Sequence, residues 1–122
     1  MQIDFSADVP IFMQVAEQIE SAILSGALEE GAQAPSTTEI SIQYKINPAT
    51  ALKGVTKLAD EGVLYKKRGL GMFVAEGARQ MVIDKRRSQF FDKFIVPMAE
   101  EARKLELSYE LLYEMIKRGL KA

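Results

Sequence analysis

The sequence of 122 residues contains no cysteine, no histidine and no tryptophan. Without cysteine and histidine, the chain can form no disulfide, thiolate nucleophile or imidazole base, and it lacks the usual ligands of transition-metal sites. Carboxylate pairs are the remaining catalytic candidates, and the pairs at Glu29-Glu30 and Glu100-Glu101 are better explained as solvated surface. We therefore expect a protein that is not an enzyme and has no metal or organic cofactor.

Long apolar runs are also absent. No run approaches the roughly 20 apolar residues of a membrane span, and the N-terminal residues lack the basic start and apolar stretch of a signal peptide. A hydrophobic content of 48% still supplies a packed core for one domain and a small appendage. We expect a soluble cytoplasmic protein with no membrane partner.

Basic residues are missing from the first third of the chain, where residues 1–44 hold seven acids and no base. Residues 45–68, in contrast, hold six bases and two acids. The net charge of −1 conceals this uneven distribution. A concentrated basic segment in a mildly acidic chain indicates one face that binds a polyanion.

Helical spacing and capping signals predict three helices in the first half. Apolar residues four apart predict a first helix from about Pro10 to Ser25, with Asp8 as its cap and Gly26 at its end. The sequence Ser36-Thr37-Thr38-Glu39 has the form of a capping box and predicts a short second helix to about residue 43. Asn47-Pro48 predicts the start of a third helix, which ends near residue 61.

Two helices joined by a three-residue turn form a helix-turn-helix, whose second helix ordinarily enters the major groove of DNA. The third helix divides into two predicted faces. The face that packs on the other helices comprises Ala51, Leu52, Val55, Leu58 and Ala59. The exposed face comprises Thr50, Lys53, Gly54 and Lys57.

A hairpin is predicted next, with short strands over residues 63–67 and 72–75 joined by Arg68-Gly69-Leu70-Gly71. Its glycines allow a tight turn close to a phosphate, and Lys66, Lys67 and Arg68 place positive charge near the tip. A nucleotide-phosphate loop is the alternative, but a helix start would then have to follow. We interpret the hairpin as a wing.

Helical periodicity returns from about Ala78, with Pro97 kinking or dividing the helix and Ser108 capping a final one. This tail carries more apolar surface than two helices can bury, so we expect a two-fold symmetric homodimer. The predicted dimer interface is Phe91, Phe94, Ile95, Met98, Leu111, Leu112, Met115 and Ile116. In the alternative, a pocket for an apolar small-molecule effector is lined by Phe90, Phe91, Phe94, Met98 and Met115.

An ordered set of residues supports this architecture. It consists of Pro10-Ile11-Phe12, Gln14, Ile19, Ile23, Gly26, Leu28, Gly31, Pro35-Ser36, Thr50, Leu58, Gly62 and Arg68-Gly69-Leu70-Gly71-Met72-Phe73-Val74. Over roughly residues 8–76 this order and spacing resembles the GntR family of winged-helix regulators. The short helical tail, Asn47-Pro48-Ala49-Thr50-Ala51 and Lys66-Lys67-Arg68-Gly69 are similar to its YtrA subgroup, which lacks a large ligand-binding domain.

The resemblance implies a homodimeric repressor on a palindromic operator, often controlling its own operon with genes for an ABC-type transporter. The fold class is then mainly α with a small β-hairpin wing. It comprises a winged helix-turn-helix domain over residues 8–76 and a helical dimerisation region over residues 77–122. Two arginines that commonly contact DNA in this family are replaced by Thr38 and Pro48, so those contacts cannot be transferred to this chain.

The predicted DNA contacts lie in three segments, with operator DNA as the expected partner. They are Ser36, Thr37 and Thr38 at the second helix, Asn47, Thr50, Lys53 and Lys57 on the third, and Lys67, Arg68 and Gly69 in the wing. Two alternatives remain. One is a winged-helix protein-interaction module without specific DNA binding, and the other is a nonspecific nucleoid protein, against which the low positive charge argues.

Overall fold

The computed structural model describes residues 2–122. Its elements are α1 (Ile11–Ser25), α2 (Thr37–Tyr44), α3 (Pro48–Asp60), β1 (Leu64–Lys67), β2 (Gly71–Val74), α4 (Ala78–Phe90), a π-helical turn (Phe91–Ile95), α5 (Val96–Lys104) and α6 (Tyr109–Lys121). The chain forms two compact units, of which the first ends at Asp84 and the second runs from Lys85 to Ala122. The predicted class, mainly α with a β-hairpin, is confirmed.

Local capping explains where the helix-turn-helix begins and turns. The Ser36 hydroxyl accepts a hydrogen bond from the Glu39 amide at 3.0 Å, and the Glu39 carboxylate accepts one from the Ser36 amide at 3.1 Å. This reciprocal box satisfies two amides at the start of α2. Asn47 caps α3 by accepting from the Ala49 amide at 2.7 Å, with Pro48 in the first turn.

The start of α1 differs from the prediction, because its N-cap is Pro10 and the side chain of Asp8 does not cap it. A glutamine on α1 instead holds the segment that precedes the helix. Gln14 accepts from the Asp4 amide at 2.8 Å, and donates to the Asp4 and Val9 carbonyls at 2.8 and 2.9 Å. The end of α1 follows the prediction, since Gly26 adopts the left-handed conformation with φ 87°.

The core of the first unit is formed by one face of each element. Its buried hydrophobic residues are Val15, Ala16, Ile19, Ile23, Ala34, Ile40, Ala51, Val55, Leu58, Val63, Leu64, Val74, Ala78 and Val82. The α3 helix contacts α1, α2 and β1, and these contacts fix its position in the first unit. Ala78 and Val82 show that the first turns of α4 belong to this core.

The two faces of α3 were partly mispredicted. Gly54 is buried, although we placed it on the exposed face, and Leu52 is 54% exposed, although we placed it in the apolar stripe. A Cβ atom at Gly54 would lie 2.7 Å from the Phe12 carbonyl oxygen and 2.9 Å from a Val15 methyl. Glycine thus permits a close α1–α3 contact, which directs the Gly54 side of α3 inward and Leu52 outward.

The β-hairpin has a third, shorter partner that the sequence did not predict. Strands β1 and β2 are antiparallel, with Tyr65 opposite Phe73. The segment before α2 joins the other edge of β2, through the Ala34 amide to the Met72 carbonyl at 2.8 Å and the Val74 amide to the Ala32 carbonyl at 2.9 Å. The wing is therefore attached to the helix-turn-helix by backbone hydrogen bonds as well as by its own turn.

A long-range side-chain cap fixes the start of α4. The Glu30 carboxylate accepts hydrogen bonds from the Gly77 amide at 2.8 Å and the Arg79 amide at 3.2 Å. The Gly77 bond, followed by the Arg79 bond, lowers the pKa of Glu30 below its ordinary value. A carboxylate at a helix N-terminus also interacts favourably with the helix dipole.

The second unit shows where Pro97 acts. The Val96 amide bonds to the Phe91 carbonyl, five residues back, so the helix widens into a π-turn before the proline. Proline has no amide to bond four residues back, and its ring would clash with that carbonyl. The predicted division of the helix therefore falls just before Pro97. Ser108 caps α6, as predicted, by accepting from the Leu111 amide at 3.1 Å.

No helix within residues 2–122 combines the length and apolar character needed to cross a membrane.

We predict that Gly54→Ala lowers the free energy of unfolding by about 1–3 kcal/mol, the usual cost of overpacking. The added methyl meets backbone at Phe12, which cannot move as a flexible side chain could. Urea denaturation measures the change. Gly119→Ala is the matched control, because this helical glycine has open space around its Cβ position and alanine there should stabilise by roughly 0.5–1 kcal/mol. Equal effects of the two substitutions would contradict the packing argument.

We also predict an acid-sensitive contribution from Glu30. A carboxylate whose pKa is lowered by folding stabilises the fold above its unfolded pKa, near 4.5, and loses that contribution as the pH falls through its folded pKa. Glu30→Gln should therefore lower the melting temperature at pH 7 and have a smaller effect at about pH 3. Glu29→Gln is the control, since Glu29 is exposed and does not cap α4. A pH-independent effect of Glu30→Gln would refute this account.

Candidate nucleic-acid interface

Lys53 lies on the exposed face of α3, as predicted from the sequence. Its side chain is exposed, and its Nζ atom lies 4.2 Å from the centroid of the Phe12 ring on α1. A cation above an aromatic face is attracted by the ring quadrupole. The ring therefore restrains the lysine beside α3, and an ordered side chain loses less conformational entropy when it binds a phosphate.

The other predicted α3 residues have different environments. Lys57 is half-buried and forms an ion pair with Glu61 one turn later. Thr50 is also half-buried, near the start of the helix. The Asn47 side-chain oxygen is occupied by the cap, which leaves its amide NH₂ group as the donor available to a ligand. Lys53 is thus the predicted α3 base with the most accessible charge.

The start of α2 presents short polar side chains. Ser36 and Thr38 are exposed and Thr37 is half-buried. The Ser36 oxygen accepts from the Glu39 amide, so its hydroxyl hydrogen can still be donated. Helix N-termini and hydroxyl groups are common phosphate ligands in protein–DNA complexes.

The wing combines charge with an aromatic platform. Lys67 lies on β1, with Nζ 4.3 Å from the Phe73 ring centroid and 5.8 Å from that of Tyr65. Tyr65 and Phe73 form a cross-strand pair with centroids 6.1 Å apart. Arg68 and Gly69 follow in the exposed turn, where Gly69 has φ 79°. The predicted wing residues thus lie together at one end of the hairpin.

Gln33 is a wing residue that the sequence analysis missed. Its side-chain amide donates to the Leu70 carbonyl at 2.7 Å, across the hairpin turn, and it lies 2.9 Å from the Cβ position of Gly71. Gly71 has φ 116°, so a side chain there would be strained and would also displace Gln33. No sequence signal predicts this contact, because a single glutamine in a turn belongs to no specific pattern.

The second unit exposes much of the predicted dimer interface. Phe91, Phe94, Leu111, Met115 and Ile116 are exposed, while the other three residues of that set are half-buried. Phe90 is exposed as well, and its ring centroid lies 5.4 Å from that of Phe94. Their exposure leaves a large apolar surface on the described chain without a partner.

Three helices followed by a hairpin, with basic residues on the third helix and in the hairpin, define a winged helix-turn-helix protein. Residues 12–74 match the model of the bacterial regulatory proteins of the gntR family. The chain belongs to the GntR family of transcription regulators, and its relatives are regulators and not enzymes.

Two relatives from Bacillus subtilis (strain 168) align along nearly the whole chain. The uncharacterized HTH-type transcriptional regulator YhcF is 29% identical over 96% of this chain and 95% of its own length. The HTH-type transcriptional repressor YtrA is 26% identical over 96% of this chain and 89% of its own length. The similarity therefore includes the tail as well as the winged helix-turn-helix.

Solved structures agree with this assignment. A GntR-family regulator from Bacteroides thetaiotaomicron has a TM-score of 0.72 at 29% identity, covering 91% of this chain and 96% of its own. The DNA-binding domain of AraR, solved in complex with operator ORX1, has a TM-score of 0.55 at 28% identity, covering 62% of this chain and 99% of its own. This second likeness is confined to part of the chain.

We predict that Gln33→Ala loosens the wing turn without unfolding the hairpin. The Leu70 amide closes the same turn by donating to the Lys67 carbonyl at 2.9 Å, and loss of the Gln33 hydrogen bond, worth about 1 kcal/mol, should speed exchange of this amide roughly fivefold. Val74 is the internal control, because its amide bonds to the Ala32 carbonyl and does not depend on Gln33. NMR-detected exchange separates the two sites. Unchanged exchange at Leu70, or equal acceleration at Val74, would contradict a local clamp.

Proposed function

We propose that the protein is a homodimeric, sequence-specific repressor that binds a palindromic operator. Helix α3 enters the major groove, and the wing contacts the flanking groove. Residues 8–76 form the DNA-binding domain, and residues 77–122 form the dimerisation region. Control of its own operon together with an ABC-type transporter is part of the proposal and rests on the likeness to the YtrA subgroup.

The observation that carries this proposal is the position of Lys53. It is exposed on the second helix of a helix-turn-helix, which is the helix that docks in the major groove in this class. Its restraint by Phe12 favours a defined contact over a freely solvated charge. Residues 45–68 hold six bases and two acids, so a net charge of −1 for the whole chain is compatible with local attraction to DNA.

The wing and the start of α2 supply additional contacts. Lys67, Arg68 and Gly69 lie at the hairpin turn, where backbone and positive charge can approach a phosphate. Ser36, Thr37 and Thr38 offer hydroxyl donors beside the N-terminus of α2. The DNA-binding domain of AraR, which resembles 62% of this chain and was solved in complex with operator ORX1, supports operator DNA as the partner.

The exposed apolar surface of the second unit supports dimerisation as part of the proposal. A two-fold interface buries the same patch on both copies, so one sequence can supply both sides. The exposure of the aromatic side chains favours this role over an enclosed effector pocket. A regulator with these partners acts in the cytoplasm, and its repressor role is inferred from the repressor YtrA.

We predict that replacing Lys53 and Lys57 together by alanine abolishes specific binding to DNA upstream of the protein's own gene. Each lost phosphate contact should also reduce the slope of log affinity against log salt by about 0.9. Fluorescence anisotropy at several salt concentrations, with random DNA as competitor, measures both quantities. The double variant should remain dimeric in analytical ultracentrifugation, because both lysines lie outside the second unit.

Lys104→Ala and Lys121→Ala together form the matched control, with the same change of charge on exposed residues of the second unit. This control should bind as tightly as the wild type. Unchanged binding by the Lys53 and Lys57 variant would refute the assigned recognition face. Absence of any specific binding by the wild type would instead favour the protein-interaction module, to which the missing arginines at residues 38 and 48 point.

A further inference from the structure

Helix α3 exposes a large apolar side chain that is not part of the hydrophobic core. Leu52 on α3 is 54% exposed, whereas Val55 and Leu58 on the same helix are buried at 3% and 0%. The close α1–α3 contact at Gly54 accounts for this orientation, because it turns the Gly54 side of the helix inward. Leu52 therefore points away from the core in the middle of the helix.

Two of the exposed neighbours of Leu52 on α3 are small or carry a methyl group, and the third is a lysine. Ala49, Lys53 and Thr56 lie three residues before it, one after it and four after it, and all three are exposed. Residues three and four apart lie on the same face of a helix, so Ala49 and Thr56 flank Leu52, whereas Lys53 projects from the adjacent part of the exposed surface. Apart from the Lys53 ammonium and the Thr56 hydroxyl, this face offers Cβ, Cδ and Cγ methyl groups to whatever it contacts. It has no arginine, glutamine or asparagine.

This composition suits one feature of the major groove. Guanine and adenine are usually recognised by bidentate donors from arginine, asparagine or glutamine, and none of these lies beside Leu52. Thymine alone presents a methyl group there, at C5, and apolar side chains distinguish it by contact. Burying two apolar surfaces against each other also removes water from both.

We propose that Leu52, flanked by Ala49 and Thr56, recognises thymine 5-methyl groups in the major groove. Leu52 thereby sets the preference for a base pair that contains thymine at the position it contacts in each half-site. The inference rests on the proposed function, since it assumes that α3 enters the major groove. Lys53, on the adjacent part of the exposed surface, then supplies the attraction to phosphate, while Leu52 supplies base discrimination.

The test compares thymidine with deoxyuridine, which differs only in lacking the 5-methyl group of the base. The tightest-binding duplex is first selected by the full-length wild-type protein from a random pool of about 30 base pairs, long enough for two half-sites. Each thymine is then replaced singly by deoxyuridine. We expect one or two positions per half-site at which wild-type affinity falls about fourfold, the factor for burial of one methyl group.

Leu52→Ala completes a double-mutant cycle. It should bind the thymine duplex more weakly than the wild type and show no further loss with deoxyuridine at the same positions. Leu70→Ala is the matched control, because Leu70 is an exposed leucine in the wing turn, and this variant should retain the deoxyuridine penalty. Circular dichroism checks that both variants keep the wild-type fold.

Two outcomes would overturn the inference while leaving the proposed function intact. In one, the wild type binds its selected duplex tightly but no deoxyuridine substitution weakens it. In the other, the penalty persists unchanged in Leu52→Ala. Failure of the wild type to select any sequence from the pool would overturn both the inference and the proposed function, so the two failures are distinguishable.

Discussion

The close contact between α1 and α3 at Gly54 is the constraint on which the rest of the first unit depends. The Phe12 carbonyl and the Val15 side chain occupy the space that any Cβ at residue 54 would need. The contact fixes the rotation of α3 about its axis. This rotation determines which residues of α3 face inward. It thereby places Lys53 over the Phe12 ring and turns Leu52 outward.

The attraction of this chain to DNA depends on where its basic side chains lie and not on its net charge. A net charge of −1 gives little general attraction to DNA, so electrostatic attraction to DNA has to come from a few basic side chains at defined positions. Lys53 and Lys67 each lie against aromatic rings, Phe12 on α1 and Phe73 on β2. Aromatic rings therefore support a lysine both on α3 and in the wing, and they limit the conformational freedom of both side chains.

The sequence predicted most of the fold because its signals are local. The Ser36–Glu39 box, Asn47-Pro48 and Ser108 cap helices where they were expected to, and the hairpin lies where its glycines indicated. The errors concern long-range packing. The exposed face of α3 depends on how near α1 approaches at Gly54, and the Glu30 cap spans 47 residues. The Gln33 clamp likewise joins distant segments, which helical spacing cannot reveal.

A footprint on the DNA upstream of the protein's own gene tests the central claim most directly. It should be made with the full-length protein at two salt concentrations, in the presence of random competitor DNA. The account predicts protection of a short inverted repeat, with half-sites about one or two helical turns apart, that survives the competitor. Diffuse protection that disappears with salt, or no protection at all, would contradict it.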